Sequence, residues 1–252
     1  MMKKIIYNLR RSILKFVVPE FIWPKLVYLD EVPIRVRGMN YSFGVKSILV
    51  DGSYEKPERD LLTKVDLNGF VIIEMGSSIG ILTQILASKV GAAGKVIGVE
   101  ADQKIANQVT KDLSGHKNIE IIYGFGFPVG KVDEHITISN FDSSLGSLGG
   151  IVNYEVTNEG TQQQPADSMI FDLERIIARD NLLPDMLVID VEGSERIIID
   201  NNSSYPDSVR HILIELHPGL YTEEAKEQII AKLLENGFTI KAQLSNSYLF
   251  SK

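Results

Sequence analysis

The chain has 252 residues, 44% of them hydrophobic and 23% charged, which suits one α/β domain with an extension or two small domains. Its formal net charge of −7 argues against a broad nucleic-acid-binding surface, because such a surface needs an excess of basic residues. The absence of cysteine excludes a disulfide framework and thiolate chemistry, and it fits a reducing, cytoplasmic location.

Residues 1–18 mix basic and apolar side chains and are predicted to form a basic amphipathic helix. Charges interrupt the apolar stretch and no small-residue cleavage site follows, so the segment does not resemble a signal peptide. Two interpretations stay open: the helix packs on the main domain, or it contacts an anionic membrane surface. Proline residues between 18 and 35 end this helix, and residues 26–50 are predicted to form short strands or a small cap. The predicted domains are therefore 1–50 and 51–252.

The main domain alternates predicted strands with predicted helices, which indicates a parallel, doubly wound sheet. The predicted strands are 70–74, 95–100, 119–123, 187–190, 211–216, 238–243 and 247–251. The predicted helices are about 79–90, 102–114, 172–181, 194–200 and 222–236. Only a short Ser-Asn turn separates the last two strands, so they should form a hairpin. Residues 124–168 are rich in Gly, Ser, Asn and Gln and are predicted to be a long insertion or loop region.

The segment VIIEMGSSIG, residues 71–80, joins the first of these strands to a helix. Its apolar run is followed by Glu74 and then by a loop that contains Gly76 and Gly80. Glycine lets a ligand approach the backbone closely, so this pattern indicates a nucleoside-cofactor loop. Ser78 stands where a dinucleotide fingerprint needs its second glycine, and the lysine of a phosphate-binding loop is absent. A plain tight turn is the alternative interpretation.

Glu100 ends the next predicted strand, twenty residues after Gly80. An acid at this position can accept hydrogen bonds from both ribose hydroxyls of a nucleoside. Parallel strands place their carboxyl ends at one edge of the sheet, so Glu74, Glu100, Asp190 and Glu215 are expected to face one crevice.

Two later strands also end in ionisable residues that could take part in catalysis or binding. Asp190 ends the first of them and is followed by Glu192 and Glu195, of which Glu195 has the alternative role of favouring a helix N-terminus. Glu215 ends the second, and His217 behind it is either a general base or a structural histidine. Asp190, Glu192, Glu215 and His217 could also form a hard-cation or zinc site. Their spacing matches no strong metal-binding motif, so no metal is predicted.

Together these segments resemble the FkbM-type family of S-adenosylmethionine-dependent methyltransferases, over about residues 50–252. EMGSSIG, VEAD, LVIDVEGSE and the late Ile-Glu-Leu-His strand correspond to four motifs of that family, and the last two are the more specific. Val188 stands where the family has lysine, and Ser77 and Ser78 stand where it has Ala-Asn. The resemblance implies a Rossmann-like class I fold with a seven-stranded, mostly parallel sheet, helices on both faces and an antiparallel C-terminal hairpin.

The resemblance also implies S-adenosylmethionine as cofactor, which has no phosphate and so needs no phosphate cradle. The implied reaction is O-methylation of a sugar, a glycan or glycolipid, or a similar polyhydroxylated small molecule. The predicted cofactor-binding residues are Glu74, Gly76, Ser78, Gly80 and Glu100. Asp190 and His217 are the predicted catalytic residues, and Glu192 and Glu215 the predicted substrate-binding residues. The first alternative is a methyltransferase-fold binding module without turnover. The second alternative is a nicotinamide-dependent oxidoreductase.

Overall fold

A computed structural model of the chain describes residues 19–127, 135–142, 151–157, 170–172, 177, 181–200 and 205–252. The chain divides into two compact units, Met1–Tyr54 and Glu55–Lys252. The sequence-based division after residue 50 stays a prediction, and the predicted helix of residues 1–18 lies outside the described residues. None of the helices within the described ranges has the length and apolar character needed to cross a bilayer.

The first unit contains a short 3-10 helix, Glu20–Ile22, two strands and one α-helix. Strands β1 (Leu26–Leu29) and β2 (Val32–Arg35) pair antiparallel. Helix α1 (Phe43–Val50) begins behind Ser42, whose hydroxyl accepts a hydrogen bond from the backbone N–H of Val45. The two strands agree with the prediction of short strands, but α1 was not predicted. Its sequence FGVKSILV is apolar on most sides and therefore shows no clear helical period.

The second unit alternates strands and helices. Its helices are α2 (Lys56–Leu62), α3 (Ile81–Val90), α4 (Gln103–Asp112), α5 (Glu195–Asp200) and α6 (Glu223–Glu235). Its strands are β3 (Val71–Met75), β4 (Lys95–Glu100), β5 (Ile119–Tyr123), β6 (Phe125–Phe127), β7 (His135–Asp142), β8 (Ile151–Thr157), β9 (Ile170–Asp172), β10 (Met186–Ile189), β11 (His211–Glu215), β12 (Thr239–Leu244) and β13 (Ser247–Ser251). Helix α2 is another element that the sequence did not predict.

Seven of these strands form one sheet in the order β5-β4-β3-β10-β11-β13-β12. All neighbouring pairs are parallel except those of β13, which runs antiparallel to both β11 and β12. The predicted fold, a mostly parallel sheet that ends in an antiparallel hairpin, is thereby confirmed. The chain leaves β3 toward β4 on one side and returns to β10 on the other. Ligands of such sheets bind at this change of direction, outside the carboxyl ends of the strands.

The sheet is apolar on both faces because helices cover both. Ile73 and Ile97 belong to one buried cluster, and their chain neighbours Ile72 and Val96 belong to another. Adjacent strand residues point to opposite faces, so these central strands read as continuous apolar runs. This burial fixes the register of β3, β4 and β10, and thus the height at which each strand ends.

The region after β5 differs from its prediction. Residues 124–168 were predicted as an insertion or loop, yet β7 and β8 form an antiparallel pair and β6 pairs in parallel with β9. The Ser- and Asn-rich composition conceals the strand alternation of HITISNFD and IVNYEVT. The helix predicted at 172–181 lies mostly outside the described residues, and its first residue, Asp172, ends β9.

Candidate active site

The glycine loop lies between β3 and α3 and is tied to the end of β4. The backbone N–H groups of Gly76 and Ser77 both donate hydrogen bonds to the carbonyl of Val99, at 2.9 and 3.0 Å. Ser78 takes a left-handed backbone conformation with φ 46°, and its N–H donates to Glu100 Oε2 at 2.8 Å. The loop is therefore held in a fixed shape by the neighbouring strand.

Both glycines of the loop are required by close packing. Gly76 has φ +88°, and a Cβ there would lie 1.7 Å from the carbonyl oxygen of Asp190. Gly80 has φ +74°, and a Cβ there would lie 2.6 Å from Val109 Cγ1 on α4. The sequence reasoning explained these glycines by ligand approach, whereas the structure shows that protein neighbours already exclude a side chain.

Glu100 lies at the predicted place, at the end of β4, and is 7% exposed. Its Oε2 accepts from Ser78 N–H and its Oε1 accepts from the N–H of Asp102 at 2.7 Å. Burial raises the pKa of Glu100, and the hydrogen bonds from Asp102 and Ser78 oppose that rise. Each carboxylate oxygen has a second lone pair, so Glu100 keeps acceptor capacity for a ribose hydroxyl.

Glu74, at the end of β3, is more deeply buried than Glu100. It is 2% exposed, and its Oε2 accepts a hydrogen bond from Thr83 Oγ1 on α3 at 2.6 Å. Burial raises the pKa of Glu74 to about 8, the Thr83 bond opposes this rise, and the charge of Glu100 adds to it. In this structure the carboxyl group braces the loop from below, and the predicted cofactor contact of Glu74 stays a prediction.

The cofactor loop adjoins the end of β10 directly. The backbone N–H of Asp190 donates to the carbonyl of Met75 at 3.0 Å, and the carbonyl of Asp190 lies against Gly76. The two groups of predicted site residues, around Glu100 and around Asp190, therefore meet at one place on the carboxyl edge of the sheet.

His217 is the centre of the second group. Its Nδ1 lies 2.7 Å from Glu195 Oε1, and Glu195 is fully buried with 0% exposure. A carboxylate oxygen accepts, so Nδ1 is the donor of this bond. The backbone N–H of Gly193 also donates to Glu195 Oε1, at 3.1 Å, and that of His217 donates to Tyr221 Oη at 2.7 Å. These bonds hold the imidazole in one orientation and leave Nε2 directed away from Glu195.

Three carboxylates surround the Nε2 atom of His217. Oxygen atoms of Glu192, Asp190 and Glu215 lie 3.6, 3.7 and 3.9 Å from it. The side chains of these acids are 38%, 23% and 32% exposed, so solvent reaches the cluster. Asp190 Oδ1 is nevertheless buried and accepts no hydrogen bond from the described residues. The predicted catalytic and substrate-binding residues are thus brought together.

Burial and nearby charges shift the pKa values of three residues of this cluster, His217, Glu215 and Asp190. Burial disfavours a charge on His217, but the hydrogen bond to Glu195 and the nearby carboxylates outweigh it and raise the pKa of His217 to about 9. Burial and the charge of Glu58 raise the pKa of Glu215 to about 7. Burial and the charge of Glu55 raise the pKa of Asp190 well above its ordinary range. The raised pKa values favour an imidazolium at His217 and disfavour the charged forms of Glu215 and Asp190 in the ligand-free site.

The sequence predicted no site role for Tyr221, Glu55 or Glu58, and it placed Glu195 in a motif without linking it to His217. Glu195 and Tyr221 orient His217, and Glu55 and Glu58 add negative charge from the beginning of α2. Glu195 was visible in the LVIDVEGSE motif, but its distance to His217 was not. Nothing in the sequence indicated Glu55 or Glu58, because α2 itself was not predicted.

The departures from the FkbM motifs fall at two places. Val188 is 2% exposed and packs with Leu213 in the core beneath the site. Ser77 packs against Gly98, and its buried hydroxyl has no hydrogen-bond partner in the described part of the chain. An orphaned hydroxyl beside the loop fits a polar ligand there, because a buried polar group needs a partner.

The ligand atoms of Asp190, Glu192 and His217 lie within 4.8 Å of one another. Such a group could hold a metal ion, but acidic groups of this kind are common without one. The sequence-based prediction of no metal is thus open to a direct test.

Comparison with known proteins gives one match by sequence. The profile of the protein-L-isoaspartate(D-aspartate) O-methyltransferase family matches residues 60–129, less than half of the chain. That segment contains the glycine loop and Glu100 but ends before Asp190 and His217. No curated protein gives a significant sequence match.

Solved structures give matches at low identity. Fibrillarin of Aeropyrum pernix with bound S-adenosylmethionine is 14% identical over 75% of this chain and 69% of that one, with a TM-score of 0.43. Precorrin-6y C5,15-methyltransferase of Geobacter metallireducens is 14% identical over 77% and 84%, with a TM-score of 0.42. TrmK of M. capricolum with S-adenosylhomocysteine is 12% identical over 76% and 65%, with a TM-score of 0.42.

The order and direction of the strands assign the fold without reference to these structural matches. A seven-stranded sheet with an antiparallel last strand, β13, is the arrangement that the resemblance to class I methyltransferases predicted. The glycine loop and Glu100 lie at its carboxyl edge, where such proteins bind their cofactor. The chain has the fold of the S-adenosylmethionine-dependent methyltransferases.

Proposed function

We propose that this protein is an S-adenosylmethionine-dependent O-methyltransferase of the FkbM type, acting on a hydroxyl of a sugar, a glycan or glycolipid, or a similar polyhydroxylated small molecule. One observation carries the proposal: an oriented histidine, His217, lies among carboxylates beside the loop and strand end that suit a nucleoside cofactor. The resemblance to FkbM motifs is strongest at these same residues, Asp190, Glu192, Glu195 and His217.

The proposed cofactor fits the loop. Glu100 has acceptor capacity for ribose hydroxyls, and the Ser77 hydroxyl, which has no partner among the described residues, lies against Gly98 of the same strand. S-adenosylmethionine, when bound, supplies a methyl group on a sulfonium, which is already a good leaving group. The chain's own residues then have to align the acceptor oxygen and exclude water, and orientation of this kind can supply about 7–11 kcal/mol of a barrier.

The carboxylate cluster suits an acceptor with several hydroxyls. Carboxylate oxygens accept hydroxyl hydrogen bonds, and Glu192 and Glu215 are half-exposed in the cluster. The same charges disfavour acceptors that carry phosphate or carboxylate groups. A neutral or amino-bearing sugar therefore fits the site better than an anionic one.

His217 is the preferred base in this proposal, with Asp190 as the alternative. Nδ1 of His217 donates to Glu195, so Nε2 is the nitrogen available to receive the hydroxyl proton. General-base catalysis contributes typically about 10²–10⁴-fold to a rate. Asp190 lies 3.7 Å from Nε2 and can stabilise the imidazolium that forms.

Two measurements test the proposal in sequence. Titration calorimetry with S-adenosylhomocysteine asks whether the cofactor site exists, with NAD as the competing ligand. Transfer of labelled methyl to a panel of neutral, amino and phosphorylated sugars then asks for turnover. We expect cofactor binding, no NAD binding, and transfer to neutral or amino sugars. Absence of binding by S-adenosylhomocysteine would remove the central claim.

The pKa of His217 favours a second candidate, a binding module that keeps the fold without turnover. With a pKa of about 9, this imidazole is mostly protonated at neutral pH and is then a poor base. Methyl transfer to any acceptor excludes this candidate. Tight cofactor binding without transfer across the panel, at neutral and alkaline pH, would favour it.

A further inference from the structure

Four large apolar side chains that are close in sequence are exposed in the first unit. Phe21, Ile22, Leu26 and Tyr28 are 74%, 60%, 41% and 69% exposed. All four lie within eight residues of sequence, on the short 3-10 helix and on β1. We call them the N-terminal apolar surface. The site proposed above uses none of them.

The strand pairing of this unit explains why part of that surface faces outward. Leu26 pairs with Arg35, and Tyr28 pairs with Pro33, so these four side chains share one face of the two-stranded sheet. The opposite face carries Leu29, Val32 and Ile34, which are buried. The hairpin is therefore apolar on both faces, and only one face is covered within the described residues of this unit.

The formal charge of the chain is strongly uneven. Residues 1–54 contain nine Lys or Arg residues and four Asp or Glu residues, a net charge of +5, whereas the rest of the chain contains 17 and 29, a net charge of −12. An asymmetry of this kind indicates an interaction with nucleic acid or membrane. The basic charge lies in the unit that carries the N-terminal apolar surface.

The nearest charged residues agree with this balance. Lys25 and Arg35 are exposed next to Leu26 in sequence and in register. Glu20 is neutralised within the unit, because its carboxylate pairs with Lys46 at 2.7 Å and accepts from the N–H of Gly38 at 2.6 Å. Asp30 and Glu31 occupy the turn of the hairpin, two and three residues after Tyr28.

We propose that the N-terminal apolar surface binds the surface of an anionic lipid membrane. Exposed aromatic and aliphatic side chains enter the headgroup boundary, and flanking Lys and Arg residues pair with lipid phosphates at about 1 kcal/mol each. A second copy that presents the same surface fits less well, because it would bring +5 against +5. Nucleic acid also fits less well, because only Phe21 and Tyr28 carry rings on which bases could stack, whereas the Ile22 and Leu26 side chains of the same surface are aliphatic.

The basic, apolar composition of residues 1–18 supports the same partner. Five Lys or Arg residues and no acid occur there, at positions 3, 4, 10, 11 and 15. A single weak contact seldom anchors a protein, and two adjacent signals are needed for stable attachment. The inference does not depend on the proposed methyl transfer, and failure of one leaves the other intact.

The single tryptophan makes the test direct. Trp23 adjoins Ile22 in sequence and is the only tryptophan of the chain. The full chain is mixed with vesicles of phosphatidylcholine alone, or of equal parts phosphatidylcholine and phosphatidylglycerol. We expect co-sedimentation and a blue-shifted Trp23 emission with the anionic vesicles only, and release by high salt.

Matched variants assign the binding to this surface. The double variant Ile22→Ser, Tyr28→Ser should lower the vesicle partition coefficient by about tenfold. Leu183→Ser is the control, because Leu183 is 72% exposed in the other unit. Thermal unfolding checks that both variants fold.

Three outcomes would overturn the inference. One is the absence of sedimentation with anionic vesicles. Another is an equal decrease of the vesicle partition coefficient in the Leu183→Ser control. The third is binding of a labelled RNA, or dimer formation, that the double variant abolishes while vesicle binding is absent.

Discussion

Glu195 and His217 form a hydrogen-bonded pair, with 2.7 Å between Oε1 and Nδ1, although Glu195 has no exposed surface. A buried carboxylate next to imidazole stabilises the imidazolium form, which raises the pKa of His217 to about 9. A base has to be neutral to accept a proton, and the neutral fraction grows as pH rises through that value. We therefore predict that kcat/KM increases with pH up to about 9 and then levels off.

The variant Glu195→Gln separates orientation from charge. Glutamine can still accept from Nδ1, but it removes the negative charge, so the pKa of His217 should move back toward its ordinary value of 6.5. The rising limb of the pH–rate profile should move to lower pH, and the plateau rate should fall by about 10²-fold. A purely structural role would lower the rate without moving the limb.

Glu100→Ala should weaken cofactor binding. Loss of two hydrogen bonds to a charged group costs about 3 kcal/mol, or roughly a hundredfold in the dissociation constant. Titration calorimetry with S-adenosylhomocysteine measures the loss. Glu120→Ala is the matched control, because Glu120 lies on the next strand and pairs with Lys95 at the surface. Unchanged affinity in Glu100→Ala would refute the ribose assignment.

Gly76→Ala should strongly destabilise the protein. The new Cβ would lie 1.7 Å from the carbonyl oxygen of Asp190, and we expect a loss of more than about 3 kcal/mol in the free energy of unfolding. Gly69→Ala provides the comparison, because Gly69 has φ +79° but a Cβ added there would meet no atom within 4 Å. Backbone strain alone should cost about 1–2 kcal/mol there. If urea denaturation showed the same decrease in the free energy of unfolding for Gly76→Ala and Gly69→Ala, the close packing at Gly76 would be contradicted.

Glu74 should make the fold less stable at alkaline pH. Burial raises the pKa of Glu74 from 4.5 to about 8, so the folded state favours the protonated carboxyl. This contribution is fully present below pH 4.5 and is lost as pH rises through 8. In Glu74→Gln the midpoint of thermal unfolding should fall less between pH 6 and pH 9 than in the unaltered chain. If the midpoint of thermal unfolding changed equally with pH in the two proteins, Glu74 would not titrate in this range.

Removal of metal should leave methyl transfer unchanged. Asp190, Glu192 and His217 bring their ligand atoms within 4.8 Å of one another, but the imidazole and the carboxylates also serve as counterions to each other. We predict the same rate before and after dialysis against a chelator, with no gain on adding Mg²⁺ or Mn²⁺. A lost rate that either ion restores would make this group a metal site.

The sequence predicted the sheet well because burial leaves a strong pattern. The strands that lead to Gly76, Glu100, Asp190 and His217 are short apolar runs, and each passes into a loop with polar residues. The positions of Asp190, Glu192, Glu215 and His217 around one point follow from that arrangement. A parallel sheet places all these strand ends at one edge.

Other features depend on contacts between distant parts of the chain. Glu195 and His217 are 22 residues apart, and no local pattern sets their distance. The charge that Glu58 adds near Glu215 arises only after α2 packs on the sheet. Pro57 near the start of α2 and the length of only seven residues hide that helix from periodicity.

The contact between Gly76 and Asp190 joins the two halves of the site through their backbones. A ligand that restricts the remaining motion of the loop must also restrict the end of β10, so that entropy is lost only once for both ligands. Binding of S-adenosylhomocysteine and of the acceptor should therefore show positive coupling. That coupling free energy must be the same whichever ligand binds first.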